Sequence, residues 1–96
     1  MFLGVYHFDG DSVALLAAYD RMIARFPPDS FAFHACVTHD RGISVYDTCP
    51  DRTTFEQFSR STAFGDTVAA VGLPSPRVEQ IGEVYAARTR AGDVLA

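Results

Sequence analysis

The spacing of apolar residues changes period along this chain, and each change predicts a new element. Phe2 to Phe8 is dense in aromatic and β-branched residues and stops at Asp9-Gly10, the pattern of a strand running into a turn. From Ser12 the spacing lengthens. Leu15, Leu16, Tyr19, Met22, Ile23 and Phe26 recur at i, i+3, i+4 and i+7, which predicts a helix with Asp11 or Ser12 as its N-cap and Pro27-Pro28 as its stop. Phe31 to His39 and Ile43 to Cys49 then read as two strands around Asp40-Arg41-Gly42, with Gly42 in the left-handed conformation of a bulged hairpin. Asp51 predicts the cap of a second helix bearing Phe55 and Phe58, continuing more loosely through Phe64, Val68 and Val71 to Gly72. After the stiff connector Leu73-Pro74-Ser75-Pro76, Arg77 to Ala86 alternates as a last strand. The order is βαββαβ: one α+β domain over residues 1–87, with a mobile tail over 88–96.

The hairpin loop sets which residues share a face. A three-residue loop pairs His39 with Ile43. Phe31, Phe33, Ala35 and Val37 then lie beside Ile43, Val45, Asp47 and Cys49 on one strongly apolar face, which belongs under the helices. Ala32, His34, Cys36 and Thr38 lie beside Ser44, Tyr46 and Thr48 on a mixed face, too polar for a monomer core and too rich in His, Cys and Tyr for a washed surface. That mixed face is the expected meeting surface of a homodimer.

Composition narrows the classes of function. Ninety-six residues with 48% hydrophobic content suffice for one core, and a charged fraction of 21% leaves apolar surface for a partner to cover. A net charge of −4 with the eight Arg scattered argues against nucleic acid, which needs a concentrated basic surface. No apolar run is long enough for a membrane span, and Met1 to Val5 lacks the basic start of a signal peptide, so the expectation is a cytoplasmic protein. Cys36 and Cys49 show no metal or redox spacing, and the chain has no lysine for a Schiff base.

Phe33-His34, the run Asp40 to Asp47 and the run Asp51-Arg52-Thr53-Thr54-Phe55-Glu56-Gln57-Phe58 resemble the middle of antibiotic-biosynthesis-monooxygenase-like domains, in which a strand enters a W-E-S-x-E-x-F turn that begins the second helix. The Gly72 to Pro76 connector resembles that of small actinobacterial members of the same group. The resemblance covers nearly the whole chain. It implies a ferredoxin-like fold, with a four-stranded antiparallel sheet and helices on one face, that pairs into a dimeric α+β barrel. It also implies a small monooxygenase- or cyclase-like enzyme, independent of cofactors, acting on an aromatic or polyketide-like molecule. Cys49-Pro50-Asp51 stands where the family has Trp-Glu-Ser, so the role of that Trp does not transfer. No His follows Asp40, which excludes the haem ligand that haem-degrading relatives carry on the second helix.

Four residues are the candidates for chemistry. His34, on the mixed face near Cys36, Tyr46 and Thr48, pairs an imidazole with a phenol, a combination suited to proton transfer near neutral pH. The bland reading is a hydrogen-bonded interface histidine. His7, on the side of Leu3 and Val5, is expected beneath the helices near Asp47, as a general base or a buried structural pair. Asp47 interrupts an apolar face and so needs a partner or a cavity. Tyr19 and Tyr85 read as core residues with polar tips that reach the same cavity. His39 is expected to be solvated, and no metal or other cofactor is implied. The alternative function is a non-catalytic dimeric module that binds a small apolar or aromatic ligand or serves in assembly.

Overall fold

The computed structural model describes residues 1–88, Arg90, Val94 and Leu95. Its sheet is built around β1 (Phe2–Asp9), which runs antiparallel to both β3 (Gly42–Cys49) and β4 (Arg77–Glu83), while β2 (His34–His39) adds to the outer side of β3. The order β2-β3-β1-β4 is that of a ferredoxin-like α+β domain. Helices α1 (Ser12–Ile23), α2 (Arg52–Ser59) and α3 (Thr62–Val71) supply the apolar residues that cover one side of this sheet. No helix among the described residues is long and apolar enough to cross a membrane.

Alternation along β1 divides its residues between the two sides. Phe2, Tyr6 and Phe8 point to the helices and pack with Ile43 and Val45 of β3 against Leu15, Ala18 and Met22 of α1 and Phe55, Phe64 and Val68 beyond. Gly4 is part of this arrangement. A Cβ at Gly4 would lie 1.9 Å from the Phe55 ring, and that ring is fully buried, so the missing side chain is what lets Phe55 lie on the sheet. Removing a ring buried so completely costs about 3–5 kcal/mol.

The region expected as one loose second helix is two helices. Ser61 separates them: its hydroxyl donates to the Phe58 carbonyl at 2.7 Å and accepts from the Phe64 N–H at 3.1 Å, closing α2 and capping α3 with one side chain. The break brings the Phe58 and Phe64 rings to 5.0 Å between centroids. Helix α1 is also shorter than its stripe, ending at Ile23, and Phe26 packs on the core from the following turn. The last strand ends at Glu83. Of the tail expected to be mobile over 88–96, Arg88 continues the short strand β5 (Ala87–Arg88), which pairs with β6 (Val94–Leu95); residues 89, 91–93 and 96 lie outside the described residues.

The hairpin register differs from the expectation by one residue. His39 pairs with Gly42, not Ile43, so the loop is the two-residue Asp40-Arg41, and Gly42 takes φ +142°. A Cβ there would lie 2.1 Å from the Phe8 carbonyl oxygen, which leaves glycine as the residue that fits. Because side chains alternate with period two, the one-residue slip turns all of β2 over. His34 and Cys36 sit opposite Asp47 and Val45 on the helix side, and Ala35 and Val37 lie opposite Tyr46 and Ser44 on the helix-free side. Phe31 and Phe33 precede the strand.

Candidate functional site

Asp47 is the reason for a site on the helix side. Its neighbours along that face of β3 are Val45 and Cys49, Gly4 lies across from it on β1, and the residue is 7% exposed. A carboxylate so placed requires a partner. The partner comes from β2: His34 lies directly across the strand pair, and its Nδ1 is hydrogen-bonded to Asp47 Oδ1. The other ring nitrogen is also engaged, since Tyr19 of α1 places its hydroxyl 2.5 Å from His34 Nε2 with the two rings stacked 15° from parallel. Helix α1 lays Tyr19 over the outer strand because Leu15, Ala18 and Met22 on its inner side fix its rotation.

The bonding order follows from the donors. The Tyr19 hydroxyl donates to Nε2, and Nδ1–H donates to the Asp47 carboxylate, so the imidazole is held in one tautomer between a phenol and an acid. Burial pushes the Tyr19 hydroxyl up to about 12, with the thiol of Cys36 and the carboxylates of Asp47 and Asp20 adding to the shift, so it remains a donor throughout the neutral range. Burial also raises the Asp47 carboxyl above its ordinary value, and the hydrogen bond and charge of His34 pull it partly back. Tyr6, a strand away, is pushed far up by burial, with the Asp47 charge second.

This chain borders an aromatic cleft. Tyr6, Val45, His34 and Asp47 line a narrow space of about 20 Å³, room for roughly one water. Asp47 and Tyr6 also floor a wider cleft of about 250 Å³ walled by Phe26, Phe31, Phe58 and Pro50, with Ser30, Thr48 and Thr54 as its polar groups. Among the described residues, no Arg lines either space. On the far side of Phe31, whose ring centroid is 4.7 Å from that of His34, a third depression of about 310 Å³ reaches His34 past Pro27 and Pro28.

The structure regroups the candidates. His34 and Asp47 come together, joined by Tyr19. Tyr46 does not join them: it pairs with Ala35 on the opposite side of the sheet from His34. His7 shares the side of Leu3 and Val5 as expected, but that side is the helix-free one, so it meets Ser44 and Glu79 instead of Asp47. His39 is exposed as expected and yet bonds Ser44 through Nε2. Tyr85 is 99% exposed and far from being a cavity residue. Cys36 and Cys49 are free thiols whose burial raises them, which makes them poor nucleophiles. Among the described residues, no three His, Cys, Asp or Glu side chains converge as metal ligands. The three-residue loop expected from the sequence hid this pairing; the observed two-residue loop puts His34 opposite Asp47 and supplies the buried charge with its partner.

Comparison with known proteins brings no match: no protein-family model fits the chain, and no curated protein and no solved structure is significantly similar to it. Fold and side-chain geometry define a small ferredoxin-like domain with a His–Asp pair beside an aromatic cleft.

Proposed function

We propose that this chain is a small proton-transferring enzyme of the cofactor-independent monooxygenase or cyclase type, acting on an uncharged aromatic or polyketide-like molecule. The observation that carries this reading is the Tyr19–His34–Asp47 chain, whose Asp47 lies on the floor of an aromatic cleft and whose His34 lies on the wall of the neighbouring depression past Phe31, neither lined by Arg among the described residues. Such walls favour flat apolar rings, and the absence of cationic residues disfavours phosphate or carboxylate substrates.

In this reading a phenolic or enolic hydroxyl of the substrate takes the place of the Tyr19 hydroxyl at His34 Nε2. His34 accepts the proton as general base. Asp47 stabilises the resulting imidazolium, and the displaced Tyr19 hydroxyl donates to the developing oxygen anion. In a cyclisation the enolate carbon attacks a carbonyl of the same molecule and the proton returns from His34 to the new alkoxide, with no net redox change. In an oxygenation dioxygen is the co-substrate: the substrate supplies the electrons, one oxygen atom enters it and the other leaves as water.

The test is a thermal-stabilisation screen with neutral phenols and 1,3-dicarbonyl aromatics, followed by turnover of the hits by wild type, His34→Gln and His7→Gln. Loss of at least about tenfold with His34→Gln and near-wild-type turnover with His7→Gln is the expected pattern. Unchanged turnover in His34→Gln overturns it. A second reading, a non-catalytic ligand-binding module, is favoured by the fact that both nitrogens of His34 are already satisfied within the chain. It predicts binding without turnover.

The working unit in this proposal is a homodimer joined through the helix-free sheet faces, as in a dimeric α+β barrel. Supporting it, Val37 is 44% and Ile81 49% exposed, Val37 opposite Ser44 on that side and Ile81 the extra residue where β4 shifts register beside Leu3. A light-scattering mass of one chain at micromolar concentration would overturn this part.

A further inference from the structure

The helix-free side of the sheet carries a second polar chain, separate from the His34 site, and its direction is set at both ends. At one end the backbone N–H of Arg41 donates to His39 Nδ1 at 3.1 Å, so that nitrogen bears a lone pair and the proton is on Nε2. His39 Nε2–H donates to Ser44 Oγ at 2.8 Å, leaving the single hydroxyl proton of Ser44 for His7 Nδ1 at 2.7 Å. At the other end His7 Nε2–H donates to the Glu79 carboxylate at 2.9 Å. Reversing the chain would set His39 Nδ1–H against the Arg41 N–H and the His7 Nε2 lone pair against a carboxylate. With both imidazoles neutral, one arrangement satisfies every group.

We propose that this chain makes the helix-free face a pH-sensitive interaction surface for a second copy of the protein, closed while both imidazoles are neutral and released when they are protonated. The choice of partner rests on the homodimer reading above. It is supported by charge: the chain carries a net −4, which opposes self-association, but the charged groups around His7 and His39 on this face are Asp9 and Glu79 against Arg41 and Arg77. Arg41 and Arg77 both pair with Asp9, so the face is locally balanced where the chain as a whole is not. At its centre lie the uncharged Val5, Ser44 and Tyr46, the first two buried.

Protonation breaks this balance in two ways. A second proton on His7 enters at Nδ1, where the Ser44 hydroxyl points, and forces that hydroxyl to turn away; a second proton on His39 enters at Nδ1 and displaces the Arg41 N–H. Two imidazolium rings then hydrogen-bond one oxygen. Of the facing groups, Glu79 and Asp9 offset the added charge, while Arg41 on the hairpin and Arg77 opposite His7 on β4 oppose it, so a face that was balanced becomes net positive. In a two-fold dimer each of these charges occurs twice across one closing surface.

Sedimentation of the full chain at constant ionic strength tests the proposal. The wild type is expected to dimerise at about pH 7.5, with a dissociation constant at least about tenfold weaker at about pH 5, the range over which imidazoles charge. The His7→Gln/His39→Gln variant is expected to hold its mass at both values. An unchanged wild-type constant, or equal acid sensitivity in the double variant, overturns the switch. A monomer already at the higher pH overturns the dimer reading itself, a distinct result. As a check independent of that variant's folding, nitrogen-resolved NMR titration of the two rings should show coupled steps in wild type and independent ones in Ser44→Ala. Independent titration in both proteins would also sink the proposal.

Discussion

Each side of the sheet carries a carboxylate, an imidazole and a hydroxyl in a line, and the two lines are buried in opposite order. On the helix side the carboxylate is deepest: Asp47 is 7% exposed, and the Tyr19 hydroxyl lies nearer the rim. On the helix-free side the hydroxyl is deepest: Ser44 is 3% exposed, while the Glu79 side chain is 59% exposed. The difference decides what each histidine is fit for. A buried carboxylate interacts strongly with its partner because little water screens it, so Asp47 holds His34 in one orientation through their hydrogen bond. Glu79 is screened by solvent, and its pairing with His7 is worth little by itself. His7 is instead tied through Ser44 to a second imidazole, an arrangement that responds to pH and offers a substrate no cleft.

The sharpest way to break this comparison is activity. Once a substrate is found, His34→Gln is expected to lower turnover by about 10²–10⁴-fold, the usual contribution of a general base, and His7→Gln to leave it within about twofold. Equal losses would mean that the two faces do not divide the work as their burial suggests. The next largest effect is structural. Gly4→Ala sets a methyl against the buried Phe55 ring beside Asp47 and should destabilise the fold by about 1–3 kcal/mol in urea unfolding. A neutral result would show that Phe55 has room to shift.

A smaller effect concerns pH. Because burial raises the folded-state value of Asp47 above its unfolded one, its contribution to stability is fully present below the ordinary aspartate range and is lost as the pH rises through the raised value. Asp47→Asn removes that dependence. Its stability relative to wild type should therefore climb between acid and neutral pH, read from urea midpoints at a series of pH values. A decline instead would mean that the ion pair with His34 outweighs burial. The smallest effect is expected at the exposed carboxylate, where Glu79→Gln should change stability at neutral pH by less than about 1 kcal/mol. A larger loss would show that Glu79 anchors its line as firmly as Asp47 anchors the other.

Much of the fold was legible because local patterns carried it. The alternation of Phe2 to Phe8, the 3.6-residue stripe from Leu15 to Met22 and the caps at Asp11, Asp51 and Gly72 are properties of neighbours in sequence, and all recur in the structure. Ser61 was the local signal passed over, a serine before an apolar run that both ended and restarted a helix. The candidate site was legible only in part. That Asp47 needed a partner followed from its apolar neighbours, and His34 stood out as a candidate proton carrier from its place beside Tyr46 on the expected mixed face, but joining the two depended on one residue of hairpin register.

The amino-acid sequence by itself determined the order of elements, the apolar stripes that bury them and the presence of an acid that could not stay unpaired. The tertiary structure alone decided which histidine meets it. The physical reason is that strand pairing has a period of two: a two-residue loop at Asp40-Arg41 in place of a three-residue one turns β2 over, carrying His34 to Asp47 and leaving Tyr46 behind it. Tyr19, Ser44 and Glu79 enter their lines from other elements entirely, α1, β3 and β4, and contacts of that range depend on how helices and strands pack in three dimensions.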